Sequence, residues 1–137
     1  MKVTLRLDGN MRIIGSNKKN QETVFDTVAE AGGTDTAATP MEIMLQAMAS
    51  CSIMDTVSIL RKKRRQIGGL NVFVEGTRAE EHPKVFTKVH LIYELKSPDA
   101  EMKDLERAVE LSQEKYCSAS AMFRLSGCQV TTECRLV

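Results

Sequence analysis

The chain has 137 residues, 42% of them hydrophobic, which is enough for one domain with a substantial core, so we predict a single domain over 1–137. A formal net charge of +1 gives no bulk electrostatic reason to expect a nucleic-acid partner. Met1 leads directly into an alternating segment without a signal peptide, and no apolar run approaches the roughly 18–20 residues of a membrane span. We therefore expect a cytoplasmic protein without membrane attachment.

Three short strands are predicted at the start of the chain, where apolar and polar side chains alternate between polar turns. The strands are residues 2–7, 11–14 and 22–28, and the turns are 8–10 and 15–20. Residues 29–39 follow without a large side chain. This composition favours a flexible connection, and the alternative is a loop over a functional site.

A long helix from residue 39 to 65 is the central element of the predicted fold. Thr39 is a suitable N-cap, Pro40 suits the first helical position, and Glu42 completes a capping box. The run that follows is mostly apolar and contains no Gly or Pro. Five consecutive cations at 61–65 favour a helix C-terminus through the macrodipole, and the glycine pair at 68–69 is expected to end the helix.

This helix is apolar almost all round, which predicts burial on more than one side. A sheet would cover one side. The same helix of a second chain is the economical cover for the other side, so the sequence predicts a symmetric homodimer. The cations at 61–65 are a further candidate for contact with phosphate or nucleic acid, but a cluster at a helix end favours a solvated cap.

The second half of the chain predicts two strands, an amphipathic helix, a short helical turn and a final strand. These elements are residues 70–75, 85–95, 97–116, 118–127 and 128–136. In the longer strand the row from Val85 to Leu95 is expected to face the core, with His90 on the sheet surface. On the helix, Met102 and Tyr116 belong to the core-facing stripe. The order βββ-α-ββ-α-β predicts an α+β fold with an antiparallel sheet around the long helix.

Four cysteines occur in the chain, and in the expected compartment they are reduced at rest. No Cys-x-x-Cys pair is present, so we expect no metal site and no cofactor. Cys128 and Cys134 are expected to pack in the core. Cys51 lies in the middle of the apolar helix, and from spacing alone it is either a reactive thiol or a small buried hydrophobe.

Several segments together resemble the OsmC/Ohr family, which comprises osmotically induced protein C and the organic hydroperoxide resistance proteins. The segments are residues 39–42 (TPME), 50–51 (SC), 60–64 (LRKKR) and 111–118 (LSQEKYCS). The resemblance covers most of the chain. It implies an intertwined α+β homodimer in which central helices are surrounded by sheet, in agreement with the predicted element order.

The resemblance also implies a chemistry. Cys51 would be the peroxidatic cysteine that reduces an organic hydroperoxide and becomes a sulfenic acid. Cys117 would be the resolving cysteine that forms a disulfide with it. A dithiol, either a lipoylated protein or a small thiol, would then reduce the disulfide. The implied function is a thiol-dependent peroxidase in oxidative-stress defence.

The activating residues differ from the pattern of the family's peroxidatic members, which have an N-terminal arginine and a glutamate directly after the proline. Here Met41 follows Pro40, and Glu42 comes one position later. Arg6 and Arg12 are the N-terminal arginines, of which Arg12 is our candidate. The pattern resembles the YhfA-like branch. The alternative function is a non-enzymatic protein that binds a small apolar or acyl ligand in the dimer groove.

Overall fold

The computed structural model describes all residues 1–137, which form two compact units, 1–44 and 45–137. Each unit has one three-stranded sheet. The predicted α+β class is confirmed, and so is the predicted order of strands and helices with a short additional helix before the last strand. The single domain over 1–137 stays a prediction.

The first unit contains an antiparallel sheet in the order β1-β2-β3. Its strands are β1 (Val3–Leu7), β2 (Ile13–Asn17) and β3 (Glu22–Phe25). The predicted turn at 15–20 is corrected, because Gly15 pairs with both neighbouring strands and β2 continues to Asn17. The actual turn is tighter. The Asn17 side chain accepts hydrogen bonds from the backbone of Lys19 and Gln21, and Asn20 takes a left-handed conformation at φ 58°.

The connection after β3 is held by the carboxylate of Asp26. The backbone N–H groups of Thr27, Thr34 and Thr36 donate to it, as do the hydroxyls of Thr34 and Thr36. Gly33 approaches the Thr27 carbonyl so closely that a Cβ atom would collide with it. The expectation of a flexible connection is therefore corrected, since one buried acid ties the segment together. The alternative of a loop over a site stays a prediction.

Helix α1 (Pro40–Lys62) has both ends fixed by local hydrogen bonds. The predicted capping box is present, because Thr39 and Glu42 exchange side-chain to backbone hydrogen bonds of 2.8 and 3.3 Å. At the other end Arg64 takes a left-handed conformation at φ 60°, and Arg65 N–H donates to the Leu60 carbonyl. This is a Schellman ending, so the helix stops several residues before the predicted glycine pair.

One face of α1 is covered within the chain and another is open. The buried side chains are Met48, Ala49, Ser52, Thr56 and Leu60. Met44 and Met54 are 48% and 70% exposed. By length and composition alone α1 could cross a membrane, with a mean hydropathy of 1.5. That is weak evidence, because the core helix of a soluble protein passes the same test, and the absence of membrane attachment stays a prediction.

The second unit contains a mixed sheet in the order β4-β5-β6. Its strands are β4 (Gly69–Arg78), β5 (Phe86–Lys96) and β6 (Gln129–Leu136). β4 and β5 form the predicted antiparallel pair, but β6 runs parallel to β5, which corrects the all-antiparallel prediction. The long connection before β6 carries the helices α2 (Met102–Leu111) and α3 (Ser118–Leu125). A crossover of that length allows parallel pairing.

The alternation of core-facing and outward-facing side chains in β5 shifts by one residue near the start of the strand. Val89, Leu91, Tyr93 and Leu95 are buried as predicted. Before them the prediction is wrong, because Val85 is exposed and the core position is occupied by a phenylalanine, Phe86. A register shift in the β4–β5 ladder, where Thr77 pairs with Lys88 and Arg78 with Phe86, inserts an extra residue in β5. Such a bulge moves the following side chains to the opposite face.

The cations at the end of α1 hold a buried acid of α2. The sequence places Asp104 on the polar side of α2, but it is buried and lies 3.3 Å from Lys63 Nζ and 2.9 Å from Arg65 Nε. The Glu101 backbone N–H, followed by the two cations, lowers the pKa of Asp104. The predicted solvated cap is therefore only partly correct, since two of its five cations are bound within the unit.

Candidate redox site

Helix α1 places three polar groups on neighbouring turns of its inner side. Cys51 is half-buried and Ser52 is fully buried. Asp55 follows Cys51 by four residues and is half-buried as well. Because residues four apart lie one above the other on a helix, the thiol and the carboxylate share a face.

Cys117 is positioned by a change of helix type. α2 continues into a π-helical turn, Ser112–Tyr116, in which the Cys117 N–H donates to the Ser112 carbonyl at 2.7 Å. The wider turn shifts the helix face, so Tyr116 is 51% exposed, which corrects its predicted place in the core. Cys117 then becomes the N-cap of α3, and its Sγ accepts a hydrogen bond of 3.3 Å from the Ser120 N–H.

The structure brings both predicted redox cysteines together with an acid. The Sγ atoms of Cys51 and Cys117 and a carboxylate oxygen of Asp55 all lie within 4.8 Å of one another. Both cysteines are free thiols. Two thiols at this separation need only a modest approach to form a disulfide. The roles of the two cysteines in a reaction stay predictions.

The environment of Cys117 favours its protonated form. The residue is only 3% exposed, and this burial raises the pKa of its thiol. The hydrogen bonds from Ser120 act in the opposite direction, and the neighbouring Cys51 raises the pKa further. The net shift is upward, so Cys117 is a neutral thiol near pH 7 and must lose a proton before it acts as a nucleophile.

A buried hydrogen-bond network lies beside the two cysteines and reaches the site through Asp55. Ser52 Oγ lies 2.6 Å from the Tyr93 hydroxyl and 3.0 Å from Ser112 Oγ. Gln113 Nε2 donates to both Ser52 and Tyr93. Ser112 Oγ also donates to Asp55 Oδ2 at 3.2 Å. The network therefore joins α1, β5 and the π-helical turn, and it fixes the orientation of the Asp55 carboxylate.

The other two predicted site residues, Arg12 and Glu42, have structural contacts in the first unit. Arg12 donates to the Thr36 hydroxyl at 2.9 Å and pairs with Asp8 at 3.5 Å. Glu42 accepts from Thr39, and those hydrogen bonds lower its pKa. The capping role predicted for Glu42 is thus present, while catalytic roles for Glu42 and Arg12 stay predictions.

The remaining candidate residues lie outside this cluster. Burial raises the pKa of the Cys128 thiol, and it raises that of Cys134 to about 11. Both upward shifts favour inert packing thiols. His90 lies on the sheet surface as predicted, with Nδ1 2.7 Å from the Thr131 hydroxyl.

Asp55 is the member of the cluster that sequence reasoning did not select. Two signals pointed to it: it is the only acid in the apolar part of α1, and it follows Cys51 by four residues. With Cys51 and Cys117 it offers three donor atoms, one fewer than a closed structural zinc site requires. The expectation of no metal and no cofactor stays a prediction.

Comparison with known proteins identifies the family of this chain. The family model described as OsmC-like protein matches residues 33–133. Protein YhfA of Escherichia coli K12 is 41% identical over 88 residues, which cover 64% of this chain and 66% of that protein. The match thus spans just under two thirds of this curated relative's length.

Two solved structures extend the comparison to the whole fold. A crystal structure of a hypothetical protein from Aquifex aeolicus VF5 has 31% identity and a TM-score of 0.82, over 99% of this chain and 96% of that one. An organic hydroperoxide resistance protein OsmC from Legionella pneumophila has 14% identity and a TM-score of 0.69, over 98% and 97%, which shows the shared fold alone. The chain belongs to the OsmC-like family, in its YhfA-like branch.

Proposed function

We propose that this protein is a thiol-dependent redox protein that reduces organic hydroperoxides through a Cys51 thiolate resolved by Cys117. The observation that carries the proposal is the approach of the two sulfur atoms, which lie within 4.8 Å of each other and of Asp55. Solved structures named organic hydroperoxide resistance proteins share the fold and support the same class of substrate.

In the first step Cys51 is the nucleophile, because it is the more accessible of the two thiols. Its thiolate attacks the distal oxygen of the hydroperoxide, and the O–O bond breaks. The sulfur loses two electrons and becomes a sulfenic acid. The leaving alkoxide takes a proton and departs as the alcohol.

In the second step the Cys117 sulfur attacks the Cys51 sulfenic acid. A disulfide forms and the hydroxyl group leaves as water, which protects Cys51 from irreversible oxidation. An external dithiol then restores both thiols by exchange through a mixed disulfide. We propose a lipoylated protein or a small dithiol as this reductant. Because the charged group beside the thiols is a carboxylate, we expect slow turnover.

We further propose that the protein acts as a homodimer. Met44, Ala47, Cys51, Met54 and Ser58 recur at steps of three and four residues along α1, and this stripe is open apart from the half-buried Cys51. A second copy of α1 would cover the stripe and narrow the access to Cys51. A single-chain mass in sedimentation at micromolar concentration would contradict the dimer.

The test of the function is consumption of cumene hydroperoxide by reduced protein with dithiothreitol as reductant. We expect turnover in the wild type, loss of turnover in Cys51→Ser, and a Cys51–Cys117 disulfide in the oxidised wild type. Cys134→Ser is the matched control, since its thiol lies outside the cluster, and it should keep full turnover. The proposal is wrong if the wild type is inactive and both thiols stay free in excess peroxide.

The same experiment addresses the alternative function, a protein that binds a small apolar or acyl ligand without chemistry. Inert thiols at 51 and 117, together with a lipid found by native mass spectrometry of the purified protein, would support that function instead.

A further inference from the structure

We infer that Asp55 is the proton-transfer residue of disulfide formation: it accepts the proton of Cys117 and delivers it to the hydroxyl leaving Cys51. The inference rests on the proposed function, in which Cys51 is oxidised first. It adds a residue that faces both sulfur atoms from the helix that carries the nucleophile.

The position of Asp55 suits both halves of the transfer. One carboxylate oxygen lies within 4.8 Å of the Cys51 and Cys117 sulfurs, which leaves room for a small side-chain rotation or one bridging water. Ser112 Oγ donates to Oδ2 at 3.2 Å, so the carboxylate has an anchored oxygen and a second oxygen available for a proton. Residues that act as general bases commonly show such loose distances in a resting structure.

The surroundings of Cys117 explain why a base is needed. Burial raises the pKa of its thiol, so the thiolate is scarce near pH 7. The Sγ atom lies 3.9 Å from the Met48 carbonyl oxygen and accepts a hydrogen bond from the Ser120 N–H. A carbonyl oxygen is too weak a base to take the thiol proton, and an N–H group cannot accept it. Asp55 is the basic group in the cluster.

The proton balance of the step closes within these three residues. Asp55 takes the proton from the Cys117 thiol as the sulfur attacks Cys51, and the S–S bond forms as the S–O bond breaks. The protonated carboxyl then gives that proton to the departing hydroxide, which leaves as water. Asp55 is ionised again at the end, and the only oxidant consumed is the hydroperoxide of the first step.

The test is Asp55→Asn, which keeps the size of the side chain and an oxygen that can accept from Ser112 while removing the base. After one equivalent of cumene hydroperoxide, we expect Cys51–Cys117 disulfide formation to slow about 100-fold, a typical effect of losing a general base. Oxidation of Cys51 should not slow, because removing a nearby negative charge does not oppose its thiolate. Dimedone adducts should therefore accumulate on Cys51.

Three controls separate proton transfer from altered structure. Asp35→Asn is the matched variant, because Asp35 is exposed and its left-handed conformation at φ 54° suits asparagine, so its kinetics should equal those of the wild type. Dibromobimane, which fluoresces after bridging two thiols, should reach the same final yield of bridged Cys51 and Cys117 in Asp55→Asn as in the wild type, because the yield at completion reports the distance between the two sulfurs. In Asp55→Ala, added formate should restore the rate of disulfide formation.

The outcomes distinguish the inference from the function on which it rests. Wild-type disulfide formation together with an equal rate in Asp55→Asn would overturn the role of Asp55 and leave the redox function standing. A wild type that forms neither a Cys51 sulfenic acid nor a disulfide would overturn the function itself. A slow Asp55→Ala variant that formate does not restore would also count against proton transfer.

Discussion

Replacement of Tyr93 by phenylalanine tests whether the buried network stabilises the candidate site. Tyr93 is fully buried, and its hydroxyl lies 2.6 Å from Ser52 Oγ and accepts from Gln113 Nε2 at 3.0 Å. Tyr93→Phe removes both hydrogen bonds. Ser52 keeps Ser112 as a partner and Gln113 keeps Ser52, so no group is left without a partner. At about 1 kcal/mol net for each bond, the expected loss in the free energy of unfolding is about 1–2 kcal/mol.

The measurement is urea unfolding followed by circular dichroism, at one protein concentration because a proposed dimer makes stability concentration-dependent. The control is Tyr116→Phe at the chain's other tyrosine, whose ring is half-exposed. We expect that variant to lie within about 0.5 kcal/mol of the wild type. If Tyr93→Phe is equally neutral, the Tyr93 hydroxyl does not stabilise the fold and the argument from the network is refuted.

Three further predictions concern other parts of the fold. Arg64→Gly should raise the free energy of unfolding by about 0.5–1 kcal/mol, because glycine adopts the left-handed helix ending without strain; a less stable variant in urea would contradict this. Hydrogen bonds led by the Thr34 hydroxyl hold the pKa of Asp26 well below its ordinary value. The ionised Asp26 carboxylate therefore stabilises the fold fully above about pH 4, and this stabilisation declines as the pH falls further. The difference in free energy of unfolding between the wild type and Asp26→Asn should consequently shrink in acid. A difference that does not depend on pH would contradict this. With a pKa of about 11, Cys134 should react with iodoacetamide roughly tenfold faster per pH unit between pH 8 and 10, as mapped by mass spectrometry; a rate that levels off above about pH 9 would show that the pKa of this thiol is not raised.

The features that the sequence predicted well depend on residues close together in the chain. The capping box at the start of α1 joins residues three apart, and the buried face of β5 follows strict alternation from Val89 to Leu95. Four short motifs, of which two contain Cys51 and Cys117, were together enough to indicate the family. Each of these signals is contained in one helix turn, one strand or one motif.

The errors came from contacts between distant residues. The burial of Asp104 follows from two cations about forty positions earlier, and the parity change at Phe86 follows from its pairing with Arg78 across a ladder. The parallel direction of β6 depends on where a long crossover returns. Local patterns do not encode these choices, since each is decided by which partner the folded chain supplies.

The same distinction between local sequence signals and contacts of distant residues applies to the candidate site. The sequence by itself determined that an apolar helix carries Cys51 and that a family motif carries Cys117. Only the tertiary structure decided that their sulfurs meet, that Cys117 caps α3, and that Asp55 completes the cluster. The physical reason is that a thiol's reactivity is set by burial, neighbouring charge and hydrogen bonds, and those belong to the packed site rather than to the residue.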